Sequence, residues 1–100
     1  MSQEVRAFVS IVSMWEIAIN TSVGKLDLKV SMEQLAASLP EFHLKLLPLK
    51  LEHVQAVEHL PLHHRDPFDR MLIAQAKHEG MHLLTADPHF EAYDVPLVAV

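Results

Sequence analysis

The stretch 60–76, LPLHHRDPFDRMLIAQA, places two carboxylates at the mouth of an apolar helix. Pro67 has no N–H to donate and a φ already fixed near the helical value, so it fits the first helical position and makes Asp66 the N-cap. Asp69 then falls in the first turn. Met71, Leu72, Ile73, Ala74 and Ala76 are apolar around most of the circumference, which predicts a helix buried on more than one side. Asp69 shares a face with Ile73 and Ala76, at i+4 and i+7, so it points inward with them. A carboxylate drawn inward needs a partner, because an isolated buried charge is strongly disfavoured or takes up a proton.

The rest of the chain supplies strands and helices in alternation. AFVSIV, residues 7–12, is apolar on both faces apart from Ser10, as a strand buried in a parallel sheet would be. Ser13 is placed to cap a short helix, MWEIAINT, with Glu16 hemmed in by Met14, Trp15, Ile17, Ala18 and Ile19. VGKLDL reads as a turn and an extended connector. Ser31 with Gln34 makes a capping-box pattern for a helix that runs to about Leu39 and stops at Pro40. Phe42, Leu44 and Leu46 alternate with His43, Lys45 and Leu47, a half-buried strand before Pro48. Leu51, Val54, Val57 and Leu60 recur every three residues and describe an amphipathic helix ending at Pro61.

Gly80 is the expected C-terminal cap of the organising helix. MHLLT then reads as a strand, and Asp87 in TADPHF follows it, where residues just past strand C-termini line the ligand crevice of an α/β sheet. An Asp-Pro turn explains the same residue. The apolar stretch 95–100 closes the chain as another strand. The expectation is a single α/β domain over residues 1–100 with a mainly parallel sheet.

Composition narrows the function. Thirteen acidic against eight basic residues give a net charge of −5, so bulk charge does not hold a nucleic acid here, and a polyanionic substrate calls for a metal or a local patch. The chain has no cysteine, hence no disulfide framework and no thiolate zinc site. Its apolar runs are too short to span a bilayer, and MSQEVR lacks the basic-then-apolar order of a secretory signal, so a soluble, cytoplasmic protein is expected.

Glu16, Asp69 and Asp87 lie on three elements, each on or beside an apolar segment. If they converge they repel one another, and a hard divalent cation is the natural counter-charge. Oxygen-only ligands favour magnesium or manganese over zinc. Such an ion binds a phosphate oxygen, lowers the pKa of a bound water and orients it towards phosphorus, the chemistry of phosphodiester hydrolysis. Asp66 is accounted for as a cap and as an i,i+4 partner of Arg70, with a supplementary metal role as the alternative. Arg65 and Arg70 are candidates for steering phosphate or are solvated surface groups. His59 and His63 have the i,i+4 spacing of a zinc pair, with His64 beside them, but Pro61 breaks the helix that would present both. Ser10 and Ser13 either line the acidic pocket or serve as structural hydroxyls.

SMWEIAINTSVGKLDL, LPLHHRDPFDRMLIAQAKHEG and LLTADPHFEAY, in this order and spacing, resemble the PIN-domain family, in particular the VapC-like ribonuclease toxins of bacterial toxin-antitoxin pairs. The resemblance implies that Glu16, Asp69 and Asp87 are acidic active-site residues, with Asp66 a further metal-ligand candidate. It implies a magnesium- or manganese-dependent endoribonuclease, a cognate antitoxin, a homodimer and a three-layer α/β/α fold. PIN domains ordinarily open with a strand carrying another acidic residue, whereas only MSQEVR precedes Ala7 here, and Asn20 stands where many such relatives have a lysine. The fold is therefore expected to lack its first strand and helix, and a silent remnant serving only dimerisation or antitoxin binding is the alternative function.

Overall fold

The computed structural model describes residues 7–62, 66–85 and 97–99. Backbone contacts gather into two compact units, residues 1–48 and residues 49–100. The first opens with strand β1, Ala7–Ser10, and passes directly into helix α1, Ile11–Ser22. The cap is Ser10 rather than Ser13. Its Oγ accepts the Val12 N–H at 3.0 Å, and Ser13 sits inside the first turn. The strand stops there because its ladder does: β1 pairs in parallel with β2, Leu44–Leu47, and Ser10 lies opposite Leu47. Pro48 follows and has no N–H to extend the pairing. Ile11 and Val12 are strand formers by propensity, yet Val12 is buried as a helical residue, so packing overrides the preference.

After α1 the VGKLDL connector turns as expected. Gly24 takes the left-handed φ of 80° that the turn demands, and the Asn20 carbonyl accepts from Lys25 and Leu26 at 2.8 and 3.2 Å. Helix α2, Met32–Ser38, carries the full capping box: Gln34 N–H donates to Ser31 Oγ at 3.0 Å, and Ser31 N–H to Gln34 Oε1 at 2.8 Å. Leu39–Phe42 then tightens into a 3₁₀ turn around Pro40, and His43 adopts a left-handed φ of 58°. Phe42 and His43 thus belong to the turn and not to β2, and Phe42 stands 68% exposed instead of facing a core.

The second unit begins with helix α3, Leu51–Glu58. Its inward face is only in part the one that the three-residue spacing marks, since of that series Val57 is half-buried and Leu60, just past the helix, is buried. Leu51 and Val54 are exposed, whereas His53 is fully buried and Leu60 nearly so. The reason is polar: the His53 ring finds hydrogen-bond partners on both nitrogens inside the unit, described below, so burying it is not penalised. Helix α3 packs on α4, Pro67–Glu79, whose consecutive residues Ile73, Ala74, Gln75 and Ala76 are all buried, the multi-sided burial expected of it. Gly80 closes α4 at φ 66°, and the Met81 N–H reaches back to the Ala76 carbonyl at 2.8 Å.

Strand β3, Leu83–Thr85, pairs in parallel with β4, Leu97–Ala99, with Leu83 opposite Leu97. Each unit therefore combines helices with a parallel strand pair, and the chain is of the α/β class with parallel strands. Among the described residues no helix is long and apolar enough to cross a membrane.

Candidate functional site

The opening of α4 is built as the sequence dictates. Asp66 holds an extended ψ of 117°, and its Oδ1 accepts both the Phe68 N–H at 2.9 Å and the Asp69 N–H at 3.2 Å. Its carbonyl accepts the Arg70 N–H at 3.0 Å, the first bond of the helix. Asp69 lies in that first turn, half-buried, one and two turns before the buried Ile73 and Ala76.

Arg70 departs from expectation. No ion pair with Asp66 is present among the described residues. Instead the guanidinium turns back along the chain, Nη1 donating to the Pro61 carbonyl at 3.0 Å and Nη2 to the Leu60 carbonyl at 3.3 Å. Those carbonyls lie just past the end of α3, where no helical N–H remains to take them.

The sequence candidates divide accordingly. Asp66 and Asp69 come together in one helical turn. Glu16 lies half-buried on α1 in the other unit, two residues after the buried Met14. Asp87, Arg65, His63 and His64 lie outside the described residues. His59 caps α3 with its side chain 82% exposed. Among the described residues no three histidine or acidic side chains gather into a metal-holding group. As a donor set, Glu16, Asp69, Asp87 and Asp66 offer only carboxylate oxygens, which fits a hard cation such as Mg²⁺ or Mn²⁺ and not a soft one.

A second polar cluster escaped the sequence reading. The buried His53 ring accepts the Lys50 backbone N–H on Nδ1 at 3.0 Å, which leaves the proton on Nε2 to be donated to Glu79 Oε1 at 2.8 Å. The Gln75 amide reaches Nδ1 at 3.4 Å, and the His78 ring stands edge-on at 5.4 Å between centroids. The hydrogen bond from His53 holds the Glu79 carboxyl below its ordinary value of 4.5, with Lys50, His53 and His78 acting electrostatically in the same direction and burial opposing them. Gln75 was the available signal: an amide set within MLIAQA, on a helix buried on several sides, requires an internal partner.

In comparison with known proteins, the family model described as PIN domain matches residues 2–96. No curated protein and no solved structure gives a significant match.

Proposed function

Since the chain belongs to the PIN domain family, whose members are generally nucleases dependent on divalent metal ions, we propose that it is a magnesium- or manganese-dependent endoribonuclease of the VapC toxin type. The observation that supports this most is the opening of α4. There Pro67 and the Asp66 cap set Asp69 half-buried in the first turn of a helix whose residues Ile73–Ala76, about one turn on, are buried in a core. In this reading Glu16, Asp69 and Asp87 hold the ion, with Asp66 as a supplementary ligand through the carboxylate that also caps the helix. A bound Mg²⁺ or Mn²⁺ supplies charge for the scissile phosphate and acidifies a water. The protein's own part is to hold carboxylates in place at that point, Asp66 on the Phe68 and Asp69 amides and Asp69 in the first turn.

The partners in this reading are an RNA substrate, a cognate antitoxin and a second copy of the chain, within the cytoplasm. A net charge of −5 agrees with a substrate held through a metal and not through a basic surface.

Thermal unfolding in a Mn²⁺ titration tests it, on the parent chain, Asp69→Asn and Asp87→Asn. An ion that binds only the folded chain raises its midpoint, by an amount equivalent to about 2.7 kcal/mol at a hundredfold excess over Kd. The parent midpoint rises, neither variant follows, and RNA cleavage depends on the same ion. A folded parent indifferent to Mn²⁺ replaces this reading with that of a catalytically silent PIN domain serving dimerisation or antitoxin binding.

A further inference from the structure

We infer that Arg70 is a positioning residue for the acidic turn, not a phosphate contact: its guanidinium clasps the end of α3 to the first turn of α4, where Asp66 and Asp69 sit. Leu60, nearly buried, is tied to α3 by its N–H on the Val57 carbonyl at 3.1 Å. Its own carbonyl and that of Pro61 take the two Nη groups of Arg70, at 3.3 and 3.0 Å. Arg70 in turn is fixed to the cap by its backbone bond to the Asp66 carbonyl, at 3.0 Å. One residue of α4 therefore holds the Leu60 and Pro61 carbonyls, while the Asp66 carboxylate holds the Phe68 and Asp69 amides of the same turn.

The fork suits arginine alone. Two neighbouring carbonyls are taken by two nitrogens of one rigid plane, a geometry that the single ammonium of lysine cannot reproduce. The residue also lines an apolar groove with Val57, Leu62, Pro67 and Met71, which restricts its freedom to swing towards a ligand. The consequence for metal binding rests on the proposed function; the clasp itself does not. Groups that orient ligands from behind typically change metal affinity by about 10- to 100-fold when removed.

Two measurements on Arg70→Ala and Arg70→Lys decide the matter, both without RNA. The first is amide hydrogen exchange. In Arg70→Ala the Phe68 and Asp69 amides exchange faster while those of Ile73–Ala76 keep the parent's protection, which also verifies that the variant is folded; Arg70→Lys falls between. The second is Mn²⁺ titration, in which Arg70→Ala binds about tenfold more weakly than the parent. Unchanged exchange and unchanged Mn²⁺ affinity overturn the inference. A parent indifferent to Mn²⁺ overturns the metal reading and the positioning role with it, while the exchange data still decide whether the clasp exists.

Discussion

The middle of α4 and its first turn belong to one helix but treat their polar groups in opposite ways. In the middle, Gln75 is buried among Ile73, Ala74 and Ala76, and its amide meets the fully buried His53, whose other nitrogen is closed by Glu79. Among the described residues no buried side-chain nitrogen or oxygen lacks a partner. At the first turn, by contrast, Asp66 and Asp69 are only half-buried, and Asp66 spends one oxygen, Oδ1, on both capping bonds. The difference separates two tasks. A closed polar cluster fixes the helix against α3, and the acids at its mouth are held in place without being sealed in.

The largest test of this division is His53→Ala. It empties a fully buried site and strips Lys50 N–H, Gln75 and Glu79 of a shared partner, so a loss of about 3 kcal/mol is expected from cavity and unmet hydrogen bonds together. Urea unfolding followed by circular dichroism measures it, with an unchanged m-value as the sign of an intact unfolded state. If this variant loses less than the capping variant considered below, the cluster does not anchor the helix and the contrast fails.

The two tasks were not equally visible in the sequence. The mouth of α4 was legible to the residue: Asp66 as cap, Pro67 at the first position, Asp69 in the first turn and Gly80 at the end all follow from local backbone chemistry. The capping box of α2 was legible for the same reason. The inward face of α3 was legible only at Val57 and Leu60, because counting apolar residues passes over a histidine whose burial depends on a glutamate 26 positions away. The start of α1 was misjudged by three residues, since it is set by where β2 ends, and that pairing joins segments far apart in the chain. Arg70 looked like a partner for Asp66 at i,i+4, but its guanidinium donates to the carbonyls of Leu60 and Pro61, which no i,i+4 rule points to.

Smaller in effect is Asp66→Ala, which removes the acceptor of two amides and is expected to lower stability by about 1 kcal/mol, as loss of an N-cap does. Asp66→Asn keeps an oxygen in the capping position and should lie within a few tenths of a kcal/mol of the parent. The pair sharpens the comparison, because capping and ion binding part company in Asn. Stability retained together with a reduced Mn²⁺ shift assigns Asp66 both roles; retained stability with the full shift leaves it a cap alone.

The smallest effect is a pH dependence placed in the closed cluster. Glu79 has its pKa lowered in the fold, first by the hydrogen bond from His53 and then by Lys50, His53 and His78. A carboxyl whose folded pKa is depressed contributes stability that is complete above its unfolded value, near 4.5, and is lost as pH falls through the lower, folded one. Glu79→Gln keeps an oxygen for the Nε2–H of His53 but removes the charge. The unfolding midpoints of parent and variant should therefore run a constant distance apart from neutral pH down to about 5 and then converge, the parent losing its advantage on the acid side. A gap that stays constant through the acid range would mean that the charge on Glu79 does nothing for the cluster, and that the 2.8 Å bond to His53 is held by neutral hydrogen bonding alone.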